Sequence, residues 1–425
     1  MSVMDQIPSG WASKRLKYVA TYNDETLPES TDDLEEIEYI EISDVSLTGG
    51  VEASQRMAFG DAPSRARRKV RSGDILISTV RTYLKAIAPV ENASGDLIAS
   101  TGFCVVRPGT EVDSGFLGWI AQSEPFVNEV VARSVGVSYP AINASELVTI
   151  TVPLPPLDVQ RRIARFLDDK TERIDALVEK KRALLDRLAE KRQSLITSAV
   201  TKGLDPDAPM KPSGVELIGD VPEHWEMQRL KFLLGDPLKY GANESAEFDE
   251  PDWPRFVRIT DVDELGLLRD ETFRSLPPEV AEPYLLKPND ILLARSGATV
   301  GKSFIYDDSW GTACYAGYLI RARVAPEHSA KFVYHFLNSA VYWGWVSSNF
   351  IQSTIQNISA DRYANLLVPI PGTRAEQERI ASFVDDARRE IDRQAAAVQK
   401  SIDTLAEYRA ALVTAAVTGQ IEDLR

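Results

Sequence analysis

The stretch Gln160–Asp169, QRRIARFLDD, occurs a second time as Gln377–Asp386, QERIASFVDD, with seven of the ten residues identical. The surrounding segments 158–200 and 374–417 contain no Gly or Pro, and apolar residues recur along them at spacings typical of heptads. This pattern predicts two long helices that pack on each other through an apolar seam.

The predicted seam residues occupy a and d heptad positions in both helices: Ile163, Leu167, Ile174, Leu177, Leu184, Leu188 and Leu195, then Ile380, Val384, Ile391, Val398, Leu405 and Leu412. A helix of this length is roughly 60 Å long at ~1.5 Å per residue. We expect the two helices to form an antiparallel coiled coil. That arrangement would place the part of the chain preceding each helix at opposite ends of one rod.

The repeat extends over the whole chain. The pattern W-x-x-x-R-L-K spans Trp11–Lys17 and returns as Trp225–Lys231, and Gly73-Asp-Ile-Leu76 returns as Asn289-Asp-Ile-Leu292. Matching positions stay 214 to 217 residues apart throughout. A period this long does not fit a solenoid and predicts a duplicated half-molecule.

Each half begins with a segment rich in short apolar runs and ends with a long helix. Residues 37–45, 74–80 and 101–106 read as strands, whereas residues 115–129 and 330–347 read as helices. The predicted fold class is α+β, with two mixed α/β domains joined by the antiparallel helices in a pseudo-two-fold repeat. The predicted segments are domain 1 (1–156), helix 1 (157–202), a linker (203–219), domain 2 (220–372), and helix 2 with a C-terminal tail (373–425).

Composition excludes several classes of protein. No run of about 18 apolar residues is present, which argues against a membrane span, and Asp5 without a following apolar stretch argues against a secretory signal. Two cysteines, Cys104 and Cys314, exclude a disulfide scaffold and a thiolate zinc site, and three histidines make a histidine metal site improbable. The net charge of −15 by itself argues against a polyanionic partner.

The distribution of charge changes that inference. Residues 5–61 hold 13 acids and 4 bases, whereas residues 62–107 hold 3 acids and 8 bases. The second half repeats this, with 14 acids and 6 bases in 236–290 and 4 acids and 7 bases in 291–374. Such polarised segments could bind DNA phosphates and base edges. A solvated basic face explains the same charges, and the residues alone leave both interpretations open.

The candidate DNA contacts are the basic, hydroxyl and amide side chains of these segments. In the first half they are Arg65, Arg67, Arg68, Lys69, Arg81, Tyr83 and Lys85. In the second half they are Arg295, Ser296, Thr299, Lys302, Gln352, Ser353, Thr354 and Gln356. Arg and Lys would contact phosphates or guanine, and Gln would contact adenine.

The stretch Gly297–Ser303, GATVGKS, is similar to a phosphate-binding loop but fails its pattern. The first glycine lies one residue too close to the second, and the residues that follow read as a strand rather than a helix. We therefore predict a strand–turn–strand with Arg295 and Lys302 at the ends of the turn. Because no G-x-G-x-x-G follows a strand either, the sequence predicts no nucleotide or S-adenosylmethionine site.

Four strings together resemble the specificity subunit of type I restriction–modification systems: residues 7–17 (IPSGWASKRLK), 152–164 (VPLPPLDVQRRIA), 211–225 (KPSGVELIGDVPEHW) and 290–302 (DILLARSGATVGK). The order of domain, long helix, domain and long helix resembles that family over nearly the whole chain. The first half departs from it, because Thr79–Tyr83 replaces the R-S-G-x-x-G-K form. This departure leaves open which loop of domain 1 contacts bases.

The resemblance implies that segments 1–156 and 220–372 are target recognition domains, each reading one half of a bipartite, asymmetric DNA site. It implies a noncatalytic chain, without metal or cofactor, in a prokaryotic cytoplasm. The helices would dock two modification subunits, which methylate adenine with S-adenosylmethionine, and through them restriction subunits that use ATP and Mg. Two alternatives are a stand-alone DNA methyltransferase and a coiled-coil protein scaffold.

Overall fold

The computed structural model describes residues 8–263, 268–297, 299–350 and 357–424. The chain forms two compact units, the first made of residues 1–182 with 399–425 and the second of residues 183–398. Each unit therefore contains one globular domain and one segment of each long helix. The predicted segments treat each long helix as one segment, whereas the two units divide both helices near their middle.

In the part of the first unit that the structure describes there are twelve strands, three short helices and the start of a long helix. The strands are β1 (Ala12–Arg15), β2 (Ala20–Tyr22), β3 (Glu36–Ile40), β4 (Val45–Ser46), β5 (Gly50–Val51), β6 (Gln55–Ala58), β7 (Ala66–Lys69), β8 (Ile75–Ser78), β9 (Ile87–Pro89), β10 (Leu97–Ser100), β11 (Phe103–Pro108) and β12 (Thr151–Leu154). The helices are α1 (Ser114–Gln122), α2 (Glu124–Ala132), α3 (Ala144–Leu147) and the long α4 (Leu157–Lys202).

Two four-stranded sheets, in the orders β6-β3-β10-β7 and β2-β11-β8-β9, form the body of this unit. Strand β8 is buried on both faces. Its Ile75 and Ile77 pack with the helix residue Phe116, whereas Leu76 between them packs with Ile40 and Ala99 of the other sheet. A strand covered on both sides reads as a continuous apolar run, as Ile75–Ile77 does here.

Among its described residues, the second unit contains ten strands, four short helices and most of the second long helix. The strands are β13 (Met210–Pro212), β14 (Asp220–Pro222), β15 (Glu226–Arg229), β16 (Lys239–Tyr240), β17 (Arg255–Val257), β18 (Ile291–Ala294), β19 (Ser303–Ile305), β20 (Ala313–Tyr315), β21 (Leu319–Ala322) and β22 (Leu367–Ile370). The helices are α5 (Pro278–Ala281), α6 (Ala330–Phe336), α7 (Ala340–Phe350), α8 (Ala360–Ala364) and the long α9 (Arg374–Val417).

The sheets of the second unit repeat those of the first. The order β16-β21-β18-β19 corresponds to β2-β11-β8-β9, and β15 pairs with β22 as β1 pairs with β12. An arginine near the end of β11 or just after β21 pairs with the buried aspartate that precedes β8 or β18, Arg107 with Asp74 at 2.7 Å and Arg323 with Asp290 at 2.6 Å. Each aspartate is only 1% exposed, so both charges depend on these bonds.

The repeated Gln at the start of each long helix has a structural role. The buried Oε1 of Gln160 accepts a hydrogen bond from the Asp113 N–H, and that of Gln377 accepts one from the Ser329 N–H, both at 2.8 Å. Each Nε2 donates to the carbonyl of a proline before its helix. The glutamine thus satisfies backbone groups at the junction of domain and helix.

The long-helix segments run antiparallel in the first unit, where Arg162 of α4 bonds the Leu424 carbonyl and Asp175 pairs with Arg409 at 3.0 Å. In the second unit Arg192 pairs with Asp392 at 3.3 Å. Within the first unit, the later α4 residue thus pairs with the earlier residue of the C-terminal segment, which is the order of antiparallel chains. The predicted antiparallel packing of the helices is confirmed there, and the two helices also contact each other in the second unit.

The seam of α4 differs from the predicted one in its middle. Buried or half-buried side chains follow a continuous four-then-three spacing through Ile174, Val178, Lys181, Leu185, Leu188, Arg192 and Leu195. Leu177 and Leu184 lie outside this row, and each is 43% exposed. The prediction selected these leucines for their apolarity. The structure instead places the half-buried Lys181 in this row, as a long side chain with an apolar stem allows.

The remaining predicted seam residues are buried or half-buried. In α9 the row passes through Val384, Arg388, Ile391, Ala395 and Val398 with the same spacing. Both helices thus admit arginine at seam positions, which the apolar pattern did not identify.

Three local predictions need correction. The helix predicted over 115–129 is two helices, because Ser123 is extended at ψ 144° and Pro125 lies in the first turn of the next helix. The helix predicted over 330–347 is likewise divided into α6 and α7. The predicted linker 203–219 contains β13, which pairs antiparallel with β14. Its prolines and glycines therefore build a hairpin.

Candidate nucleic-acid interface

The candidate interface lies on the turns that follow β8 and β18. The predicted strand–turn–strand is confirmed in the second unit, where β18 pairs antiparallel with β19. Each turn is held by a bridge to a later loop, Val80 to Ala141 in the first unit and Ser296 to Asn357 in the second. Both bridge residues of the second unit lie 216 positions after those of the first, so the two turns are structurally equivalent.

The equivalence explains the departure seen in the sequence. Gly297 and Gly301 have φ angles of 78° and 87°, and the residues 216 positions earlier, Arg81 and Lys85, have φ angles of 50° and 54°. The first turn thus adopts the glycine conformation without glycine. A left-handed non-glycine residue costs about 1–2 kcal/mol, and such positions cluster at functional sites.

In the first unit, three predicted residues of the turn are exposed: Arg81, Tyr83 and Lys85. The Arg81 guanidinium lies 4.9 Å from the ring centre of Tyr139, on the later loop. The Thr82 and Ser134 hydroxyls lie 2.7 Å apart and connect the same two loops. The turn and the loop therefore form one surface.

The second unit carries a different set of side chains at this place. The Arg295 guanidinium lies 4.7 Å from the ring centre of Tyr240, and its backbone N–H donates to the Tyr318 carbonyl at 3.0 Å. Tyr318 is exposed. The structure places Ser296, Thr299 and Lys302 on the same turn, where all three are half-buried.

The basic run on β7 is only partly at the interface. Its first residue, Arg65, is exposed, forms an ion pair with Glu41 and accepts a hydrogen bond from the Thr101 N–H on its carbonyl. The adjoining Gly102 bonds the turn through Thr79. Arg65 therefore lies near the turn.

The other three residues of the run, Arg67, Arg68 and Lys69, are half-buried. Arg67 lies over the Phe59 ring at 4.6 Å, so part of its surface packs on the domain. A strand rises about 3.3 Å per residue, which carries Lys69 roughly 13 Å along the strand from Arg65. The run does not form a single patch.

Gln352, Ser353, Thr354 and Gln356 lie outside the described residues. Sequence reasoning did not select Tyr240 or Tyr318, because both belong to stretches without a distinctive charge or motif. Tyr318 could have been found from the repeat, since it lies 216 positions after Gly102, which borders the first turn.

Across residues 8–263, 268–297, 299–350 and 357–424, no group of three or more His, Cys, Asp or Glu side chains is arranged to hold a metal ion. No helix in the same ranges has the length and apolarity that a membrane span requires. Cys104 and Cys314 are buried thiols, and burial raises the pKa of each to about 12.

Comparison with known proteins adds relatives of modest identity. The chain is 26% identical over 215 residues to the type I restriction enzyme StySPI specificity subunit of Salmonella potsdam, covering 48% of this chain and 44% of the relative. It is 23% identical over 285 residues to the EcoBI specificity subunit of Escherichia coli, covering 63% and 59%. The alignments thus span about half the length of these relatives.

Solved structures share the fold. One chain, from work on complex assembly and conformational transition of the type I R-M system, aligns with a TM-score of 0.79 at 23% identity over 98% of this chain and 99% of its own. The HsdS subunit from Thermoanaerobacter tengcongensis aligns with a TM-score of 0.55 at 23% identity over 98% of both. The predicted fold class is confirmed.

The family described as type I restriction modification DNA specificity domain matches residues 8–187 and 258–399, which include the first turn and its loop, the second turn and most of both helices. The resemblance inferred from the four sequence strings is therefore confirmed. This chain belongs to the type I restriction modification DNA specificity domain family.

Proposed function

We propose that this chain is the DNA sequence-recognition subunit of a type I restriction–modification complex and that each unit reads one half of a bipartite, asymmetric site. The supporting observation is the equivalence of the two turns, which occupy one place in two copies of the same sheet but carry different side chains. Two equivalent frames with different surfaces suit one duplex with two unlike half-sites.

The side chains of the turns suit this role. Arg81 and Lys85 in the first unit and Arg295 in the second can contact phosphates or the acceptor atoms of guanine. Tyr139 and Tyr240 hold the two arginines by stacking, which reduces the rotamer freedom lost on binding. The amides of Gln352 and Gln356 are suited to adenine.

We further propose that the long helices dock two modification subunits and, through them, restriction subunits. Each unit exposes apolar side chains on its helix segments, Leu177 and Tyr408 in the first and Leu184 and Phe383 in the second. Exposed apolar residues on a charged helix surface favour a protein partner. In this proposal the chain is noncatalytic, and S-adenosylmethionine, ATP and Mg bind to the partners.

The test is to sequence methylated adenines in a host that expresses this chain with its modification partner. We expect Arg81→Ala to relax or weaken recognition in one half of the site and Arg295→Ala in the other, each by about 1–3 kcal/mol if the arginine contacts a base. Arg229→Ala is the matched control, because Arg229 is exposed on β15, a strand that pairs with β22 and not with the sheet that carries the turn.

Three results would contradict the proposal. An altered response in the same half of the site for both variants would reject separate reading. Binding of S-adenosylmethionine and methylation of DNA by the isolated chain would favour a stand-alone methyltransferase. Assembly with partners but no sequence-specific DNA binding would favour a protein scaffold.

A further inference from the structure

The loop between α2 and α3 exposes apolar side chains at its tip. Val135 is 79% exposed, Val137 is 102% exposed and Tyr139 is 66% exposed. The tip is nevertheless held in place, since Val135 and Ala141 exchange backbone hydrogen bonds of 2.9 and 3.0 Å and Ile142 donates to the Thr79 carbonyl at 2.9 Å. A fixed tip that presents bare apolar groups to water gains nothing in folding and suits a contact surface.

The charged residues around this tip indicate the chemical class of its partner. The two segments that form the surface, residues 76–90 and 131–144, contain Arg81, Lys85 and Arg133 and no Asp or Glu. Arg133 is already paired with Glu129, whereas Arg81 and Lys85 are exposed beside the tip. Apolar groups whose own two segments carry only positive charge fit a polyanion that also offers apolar contacts, as DNA does in its major groove.

We propose that the tip reads a thymine of the first half-site and that Val137 contacts its 5-methyl group. This inference rests on the proposed function and deepens it. Thymine is the base that presents a methyl group in the major groove, and apolar side chains recognise it there. Arg81 and Lys85 would position the loop by contacting the adjoining phosphates.

The second half has a different composition at the equivalent place. The bridges pair Ala141 with Val80 and Asn357 with Ser296, so the tip S-V-G-V-S-Y-P corresponds to residues 350–356, F-I-Q-S-T-I-Q. In the sequence there, Ser353 stands at the position of Val137, and Gln352 and Gln356 stand at the positions of Gly136 and Pro140. Methyl recognition by a valine is therefore a property of the first unit, and it contributes to the asymmetry of the site.

The experiment removes the two sides of the proposed contact in turn, the 5-methyl group of thymine and the side-chain methyl groups of Val137. The chain, assembled with its modification subunits, is titrated with duplexes of its mapped site in which single thymines of the first half are replaced by deoxyuridine. Losing one well-packed methyl contact weakens binding roughly threefold to tenfold. We expect one such replacement to weaken the native complex by this factor and to have no further effect on Val137→Ala.

Leu34→Ala is the matched control, because Leu34 is 82% exposed in an acidic segment of the same unit. It should retain native affinity and the native response to deoxyuridine. The inference is overturned if every replacement is neutral for the native complex, if Val137→Ala still responds to it, or if the first half-site contains no A·T pair.

Loss of subunit assembly by Val137→Ala would also overturn it, since the tip would then be a protein interface. If the native complex shows no sequence-specific binding at all, the proposed function itself fails.

Discussion

The turn after β8 and the turn after β18 occupy the same place in equivalent sheets, yet one uses Arg81 and Lys85 where the other uses Gly297 and Gly301. Around them the frame is kept almost unchanged. The Arg107–Asp74 and Arg323–Asp290 pairs, the Gln160 and Gln377 bonds, and the bridges to the later loops all recur. The duplicated fold conserves the buried bonds and varies the exposed turns.

The difference between the two turns shows which positions of a repeated fold can vary and which cannot. A buried aspartate or glutamine without its partner leaves an unsatisfied polar group, so both halves keep the pair. An exposed turn keeps its structure as long as its backbone conformation is retained, so its side chains can differ. Even the left-handed positions accept arginine and lysine, at a cost that the rest of the unit can offset.

Replacing the tryptophan that opens each half should produce the largest difference between them. Trp225 is fully buried and donates from Nε1 to Glu376 at 3.0 Å, whereas Trp11 is half-buried. We expect Trp225→Ala to cost about 3–5 kcal/mol and Trp11→Ala about 2 kcal/mol. Urea unfolding curves measure both, and equal losses would contradict the unequal burial.

The glycines of the second turn should differ from each other by a smaller amount. A Cβ on Gly301 would lie 2.8 Å from Val346 Cγ1, whereas a Cβ on Gly297 meets nothing within 4 Å. Both substitutions place a side chain on a left-handed backbone, which costs about 1–2 kcal/mol. We therefore expect Gly297→Ala to cost about 1–2 kcal/mol and Gly301→Ala at least about 1 kcal/mol more by thermal unfolding. Comparable losses would show that the contact between residue 301 and Val346 of α7 does not determine the cost of the substitution.

The halves should also differ in their response to pH. Trp119 Nε1 donates to Asp168 at 2.8 Å in the first unit, and His335 Nε2 lies 2.8 Å from Asp385 in the second. Burial lowers the pKa of His335, with Arg388 and Lys331 acting in the same direction against the opposing effect of Asp385.

A lowered folded-state pKa means that the unfolded chain binds the proton first, below about 6.5. The stability from neutral His335 is then complete above that pH and is lost as the pH falls. We expect native stability to decrease by up to about 1 kcal/mol between pH 6.5 and 5.5 and His335→Gln to decrease less. Urea unfolding at several pH values measures this, and an unchanged slope in His335→Gln would refute the assignment.

The smallest effects test the helix seam. Val178 lies on the half-buried row of α4, and its neighbour Leu177 is 43% exposed. We expect Val178→Ala to cost about 1 kcal/mol and Leu177→Ala less than about 0.5 kcal/mol, measured by chemical denaturation of the chain. A larger loss for Leu177→Ala than for Val178→Ala would show that Leu177 belongs to the seam, as the apolar pattern predicted.

Sequence patterns predicted the features that repeat. The heptad rhythm, the absence of Gly and Pro from two long segments, and the constant offset of matching strings were enough for the long helices and the duplication. Sequence patterns also predicted the strand–turn–strand at Gly297–Ser303, because glycine spacing and β-branched residues act locally.

Contacts between distant residues determined the rest. Lys181 lies on the seam and Leu177 does not, which depends on the phase of one helix against another. Arg81 meets Tyr139 and Arg65 lies beside the first turn only because strands far apart in sequence pair in one unit. The sequence by itself determined that this chain is two copies of one domain and helix, because hydrophobic periodicity depends only on residues that are neighbours along the chain. Only the tertiary structure decided which basic and apolar side chains share a surface, because that surface is assembled by long-range pairing.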